Sequence, residues 1–329
     1  NKDTLSTMKK VVVIGGGTGS SVVLTGLKNS SNIDLTSLAV VTDSGGSTGR
    51  LRDEFGFLPV GDLRQCLMAL ADGDTQDDIR DLLLYRFTKG NGLQGHNLGN
   101  IILTALEDIK DSPGKAMEAA SKIFRVKGKV FPITEVDAHL MITYEDGQQL
   151  IGEHFLDDHS KGGKKITNLQ LSKPAPLYKN AKKAILEADT IVVGPGDLYG
   201  SLLPHSLVKN FKQTFKKSTA KFVYVVNLMT HFSQTHDLTA QDHVDLIEKY
   251  FGKYPDVIII NSGKIPPTLL KTYEDQKEFP VIDDLEKKAK IIRSDMISKV
   301  VAQQNNNDKI KRSLLRHDSE KLANILKKI

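Results

Sequence analysis

Val11-Val12-Val13-Ile14-Gly15-Gly16-Gly17-Thr18-Gly19 is the stretch that decides the fold. Four consecutive branched apolar residues suit a strand buried on both faces, as in a parallel sheet covered by helices. The glycines then turn the chain sharply. Behind them Val23, Leu24 and Leu27 recur at helical spacing. A second strand is expected over Leu35 to Thr42, then helices over Asp62 to Leu70, Asp78 to Phe87 and Asn97 to Ile109. This β-α-β-α order predicts an α/β protein with a Rossmann-like three-layer core and a mostly parallel sheet.

The middle of the chain changes character. Lys129 to Thr134 and Ala138 to Tyr144 are strand-like, Asp146-Gly147 is a hairpin signal, and Gln148 to Phe155 returns. We read 126–170 as an antiparallel β segment inserted into a single α/β domain spanning 1–329, with a polar loop over Asp157 to Lys165. The α/β pattern then resumes. A helix is expected over Ala181 to Ala188 and strands over Thr190 to Val193, Lys221 to Asn227 and Val257 to Asn261. A polar loop at Gln303 to Asn307 and a helix from Ser319 to Ile329 close the chain.

Composition removes several classes of function. Apolar residues make up 39% of 329, enough for a substantial core. The one cysteine, Cys66, rules out an internal disulfide and a cysteine-based metal site, and the reducing cytoplasm is its natural compartment. No apolar run approaches the roughly 18 residues of a membrane span, and Asn1 to Lys10 has no apolar signal core. The net charge of +5 is mild, and after Lys271 acids and bases are interleaved. Tryptophan is absent and no aromatic–basic alternation occurs, so no nucleic-acid partner is expected.

Thirteen of the 26 glycines fall in five short segments: 15–19, 42–52, 61, 95–100 and 194–200. Three of these segments follow predicted strands. Parallel strands gather their carboxyl ends on one edge, where ligands of open α/β sheets bind. Loops of backbone N–H and hydroxyl groups there suit phosphate oxygens. Gly15, Gly16, Gly17, Thr18 and Gly19 make the first loop. Its Gly-x-Gly-x-Gly spacing misses the dinucleotide fingerprint by one residue, and Gly19-Ser20-Ser21 lacks the Walker lysine. Thr42, Asp43, Ser44, Gly45, Gly46 and Ser47 make the second. Asp43 stands where an acid accepts from ribose hydroxyls, or else caps its own turn. Gly194, Pro195, Gly196, Asp197, Tyr199 and Ser201 make a third, Tyr199 offering a ring face, and Asn227 and Thr230 a fourth.

Asp62 opens a helix as a cap or as a ligand group. His96, Asn97 and Asn100 lie within one turn at another helix start, a pattern that suits a site. Arg50, Arg52 and Arg316 are phosphate clamps or surface residues. No catalytic residue is assigned: Gly-x-Ser-x-Gly is absent, and His231 and His236 have no carboxylate in place beside them. No metal site is expected.

The motifs at 14–19, 42–50, Pro59-Val-Gly-Asp-Leu-Arg64, Gly95-His-Asn-Leu-Gly-Asn100, Gly194-Pro-Gly-Asp-Leu-Tyr-Gly-Ser201 and Arg316-His-Asp318 resemble, in order, the YvcK-like gluconeogenesis factors. That family lies in the superfamily of the 2-phospho-L-lactate transferases (CofD-like). The resemblance covers nearly the whole chain. It implies a cytoplasmic protein that binds a nucleotide sugar such as UDP-N-acetylglucosamine. It further implies a regulatory role in cell shape during gluconeogenic growth. It leaves room for a protein partner in envelope-precursor metabolism and for a homo-oligomer. No cofactor is required under this reading, although NAD, another pyrophosphate with a ribose, suits the same cleft. The rival is a transferase of phosphorus-containing groups using a nucleotide-activated substrate and Mg2+. Against it, Asp43-Ser44-Gly45-Gly46 carries one acid where a metal-assisted transfer wants several.

Overall fold

The computed structural model describes residues 8–71, 77–286, 288–300 and 314–329. Its strands are β1 Lys9–Gly15, β2 Ile33–Ala39, β3 Lys129–Pro132, β4 Leu140–Tyr144, β5 Gln149–Ile151, β6 Ile166–Leu171, β7 Thr190–Val193, β8 Lys221–Val225, β9 Val257–Asn261 and β10 Lys290–Ser294. Its helices are α1 Gly17–Leu27, α2 Gly46–Phe55, α3 Gly61–Leu70, α4 Asp77–Leu84, α5 Leu98–Lys110, α6 Pro113–Ile123, α7 Lys179–Glu187, α8 Pro204–Leu207, α9 Phe211–Lys217, α10 Ala240–Phe251, α11 Pro267–Glu274 and α12 Ser319–Leu326.

Seven of these strands form one sheet in the order β10-β9-β8-β7-β1-β2-β3, with every neighbouring pair parallel. Val11 to Gly15, Thr190 to Val193 and Phe222 to Val225 are buried throughout, as strands covered on both faces must be. α1, α3 and α12 pack together, as do α7, α9 and α10. Under α9 and α10 lies a cluster of Phe211, Phe215, Phe222 and Phe251 with edge-to-face contacts near 5 Å. The three-layer α/β expectation describes this core. The run Gln303 to Asn307 lies outside the described residues.

β2 ends at Ala39, and Val40 instead bonds the Gly15 carbonyl, so the second loop opens earlier than Thr42. β3, read as part of the antiparallel segment, pairs parallel to β2 as an edge of the main sheet. Local pattern cannot give strand direction; the five helices between β2 and β3 provide the length a parallel return needs. The antiparallel sheet is β5-β4-β6. The return strand stops at Ile151, because Gly152 takes a φ of 127° and the chain winds into a 3-10 turn over Glu153–Asp157. β6 follows the polar loop and was not anticipated; its alternation is masked by Thr167, Asn168 and Gln170.

Candidate functional site

β8, β7, β1 and β2 are consecutive in the sheet, so the four small-residue loops after them share one edge. The strand order reverses between β1 and β7, the switch point at which such sheets open a crevice. α1, α2 and α3 start here. Their N-cap residues Gly16, Gly45 and Val60 make no side-chain cap bond, so first-turn N–H groups and three helix dipoles are aimed at one region.

The first and third loops are in direct contact. A Cβ on Gly19 would strike the Pro195 carbonyl, so glycine is required at 19 for the α1 terminus to meet the Gly194–Gly196 turn. Thr18 donates its hydroxyl to Gln65 Oε1 at 2.9 Å. Gly196 N–H donates to Asn227 Oδ1 at 3.2 Å, which joins the fourth loop to the third. Ser201 Oγ and the Asp62 carboxylate both lie against Gly16. Ser20 Oγ and Thr42 Oγ1 are buried hydroxyls with no protein partner beside these loops.

Asp43 takes the local role left open by the sequence. Its Oδ1 accepts from Gly45 N–H at 2.8 Å. Burial pushes its pKa up, against the Gly45 and Thr48 hydrogen bonds and the Arg52 and Arg64 charges. Arg52 is no phosphate clamp: its buried guanidinium pairs with Asp137 and donates to the Asp43 carbonyl at 3.2 Å. Arg50 is exposed and donates to Gln94 O.

His96, Asn97 and Asn100 are brought together, yet the side-chain amides of Asn97 and Asn100 are committed to the protein. Asn97 Oδ1 caps α5 by accepting from Asn100 N–H at 3.0 Å, and its Nδ2 donates to Tyr85 O. Asn100 Oδ1 accepts from Arg64 Nε at 2.8 Å, and its Nδ2 donates to Thr48 Oγ1. Ser47 Oγ receives Asn97 N–H and lies 3.3 Å from His96 Nδ1. This latch fixes the starts of α2, α3 and α5 relative to one another. Tyr199 is 4% exposed, so its ring face is not offered, and burial pushes its phenol up to about 12. The Thr230 hydroxyl accepts from Phe279 N–H and fastens the fourth loop. Asp197 is exposed. Arg316 is half-buried in a segment whose next residue, His317, sets its ring against the Val226 carbonyl at the end of β8.

Two residues missed in the sequence change the electrostatics. Glu153 and Asp157, on the 3-10 turn of the inserted segment, enter the field of Asp43, Asp62 and Asp197. Burial and then those carboxylates push Glu153 well above the usual range. Burial and Asp197 push Asp157 up to about 6, with His231 opposing. His231, read as lacking a carboxylate, has two: its Nε2 lies 3.8 Å from Asp157 and 3.7 Å from Glu278. Ser233 donates its hydroxyl to Leu156 O, so the Ser233 oxygen accepts from His231 Nδ1 at 3.0 Å. Nδ1 is therefore the donor to Ser233, and Nε2 is the nitrogen that faces the acids. Ser44 Oγ ties the insertion down, meeting His154 Nδ1 at 2.9 Å and His154 N–H at 3.2 Å. Three acids within 153–158, after a hairpin, are the one available signal, and nothing local says where they fold.

Among the described residues no three histidine, cysteine or acidic side chains are gathered as a metal set. Hard carboxylate oxygens still suit Mg2+, which takes one or two carboxylates and completes its shell with substrate phosphate and water. Asp43, beside the α3 start, and Asp62, in its first turn, would be the residues to hold it.

The profile of the 2-phospho-L-lactate transferase CofD family matches residues 11–302. A gluconeogenesis factor of Bacillus subtilis is 37% identical over 322 residues, 96% of each chain. One of Halalkalibacterium halodurans is 37% identical over 317 residues, 96% of this chain and 94% of the relative. A crystal structure of a UPF0052-family protein from Bacillus halodurans superposes with a TM-score of 0.86 at 34% identity, over 97% of this chain and 98% of that one. Among the described residues no helix is long and apolar enough to cross a membrane.

Proposed function

The chain belongs to the CofD family, and from that premise we propose that it binds a nucleotide sugar of the UDP-N-acetylglucosamine type at the carboxyl edge of its sheet. The observation that carries this reading is the meeting of three helix N-termini without side-chain caps, beside the orphaned Ser20 and Thr42 hydroxyls. Backbone N–H groups and helix dipoles favour a diphosphate. The relatives' name supports a regulatory role in gluconeogenic growth, and we extend it to the supply of envelope precursors and cell shape in the cytoplasm.

The carboxylates set a condition on this binding. A diphosphate entering beside Asp43, Asp62, Glu153, Asp157 and Asp197 meets like charge, so it arrives with a cation or with protons on those groups. Calorimetry with UDP-N-acetylglucosamine at pH 7.5, with Mg2+ and with a chelator, tests the reading. Binding strengthened by Mg2+ is expected. The absence of heat and of any thermal shift at millimolar ligand in both conditions refutes it.

A second reading is favoured by the same acids. Family membership and the His231–Asp157 contact fit a transferase of phosphorus-containing groups. Mg2+, when bound, would neutralise phosphate charge. Asp43 and Asp62 would orient the substrate, and the closed insertion would exclude water. His231, held through Nδ1 by its bond to Ser233, would accept a hydroxyl proton at Nε2. Nucleotide release that depends on Mg2+ and is lost in His231→Asn distinguishes it; no turnover across nucleotide-activated donors removes it.

A further inference from the structure

A cavity of about 230 Å3 opens beyond the fourth loop, at the carboxyl ends of β8 and β9. Leu228, Ile260, Ile265, Leu270 and Val281 form its walls, and Asn227 stands on its lining. It exists because the molecule has a second small core. Leu228, Met229, Tyr273, Ile297 and Leu315 cluster apart from the main core, with Ile265 and Leu269 packed on them. This cluster holds α11 over the sheet edge as a roof, and the two cores do not merge beneath it.

We propose that this cavity holds the uracil ring of the nucleotide, an inference that rests on the nucleotide-sugar reading above. Apolar walls alternate with Asn227, Asn261 and Ser262, and no charged side chain lines the cavity among the described residues, so it suits an uncharged ring that carries hydrogen-bonding groups and not a phosphate. Its volume is below the roughly 300–1,000 Å3 of sites that enclose a whole ligand, so it takes one part of a larger molecule. Asn227 connects the two parts. Its Oδ1 is held by Gly196 N–H of the turn that packs on Gly19, so the cavity continues directly from the phosphate loops. Its Nδ2 has no protein acceptor among the described residues, which leaves an amide donor for a base carbonyl. Asn261 plays no such part, because its amide is taken up by Gly263 and Met296.

The experiment fills the cavity from its roof. Leu270 is half-buried on a surface helix, and the chain has no tryptophan, so Leu270→Trp introduces a single tryptophan whose emission reports where it sits. Wild type, Leu270→Trp and Val281→Phe are titrated with UDP, ADP and inorganic pyrophosphate in the presence of Mg2+. The expected result is UDP bound more tightly than ADP by wild type, UDP affinity about tenfold weaker in the variants, and pyrophosphate affinity unchanged. UDP binding by wild type that neither variant weakens overturns the inference and leaves the nucleotide reading standing. Parallel losses for UDP and pyrophosphate also overturn it. No binding of UDP or UDP-N-acetylglucosamine by wild type overturns the nucleotide reading itself.

Discussion

Glu107 offers a direct test of how burial governs the scaffold around the site. It lies on α5 and is 6% exposed, and its Oε1 accepts the N–H of Leu58 at 3.1 Å. That bond holds the connection between α2 and α3, and so the direction of the α3 terminus. Burial pushes its pKa from an ordinary 4.5 up to about 7, the Leu58 bond opposing and Asp137 and Glu135 adding to the rise. A carboxyl raised in the folded state contributes stability fully below its unfolded value, and that stability is lost as pH rises through the folded value. The rise corresponds to up to about 3 kcal/mol between pH 4.5 and pH 8. Glu107→Gln keeps the acceptor and removes the titration. Thermal melts of both proteins at pH 5 and pH 8.5 should nearly coincide at pH 5. At pH 8.5 the variant should melt higher by several degrees, at about 2 °C per kcal/mol for a chain of this size. Asp43, Glu153 and Asp157 titrate in both proteins and cancel from the difference. A variant no more stable at pH 8.5 than wild type, or one equally stabilised at both pH values, refutes the reasoning.

Arg52→Met leaves Asp137 without its buried partner and should cost about 3–5 kcal/mol in denaturant unfolding, with partial recovery when Asp137→Leu is added. Asn100→Ala removes the Oδ1 acceptor of Arg64 Nε and should cost about 2–3 kcal/mol by the same measurement, loosening the latch among α2, α3 and α5. Gly19→Ala drives a methyl group into the Pro195 carbonyl and should abolish nucleotide binding in calorimetry while the far-ultraviolet circular dichroism keeps its α/β shape.

The core was legible because its signals are local. Thr190 to Val193 and Val257 to Asn261 are short apolar runs with abrupt ends, and the strands occupy those same residues. The gathering of the loops at 15–19, 42–47, 194–201 and 227–230 followed from parallel pairing alone. What failed was anything decided by distant partners. Lys129 to Pro132 carries no mark of direction, and β6 hides its alternation behind polar outward residues. Asn97 and Asn100 look like ligand groups until Arg64, Thr48 and Tyr85 arrive from elsewhere in the chain. Glu153, Asp157 and His231 are unremarkable in sequence, because their closeness depends on a 3-10 turn docking between Ser44 and Ser233.

The antiparallel segment enters and leaves the fold at one place, since Leu140 and Leu171 are paired partners. Its three strands share no pairing with the seven-stranded sheet, yet their inner side chains are part of the main core. Two of the acids that oppose the phosphate, Glu153 and Asp157, therefore sit on a different part of the molecule from the phosphate loops, while Asp43, Asp62 and Asp197 stay with those loops. One part is a scaffold shared with any nucleotide-binding sheet. The other is a cover, packed on the core through Ile142, Tyr144 and Leu156, that adds two carboxylates to the charge seen by whatever the scaffold holds, so exchanging its site-facing acids would retune selectivity while that packing is kept.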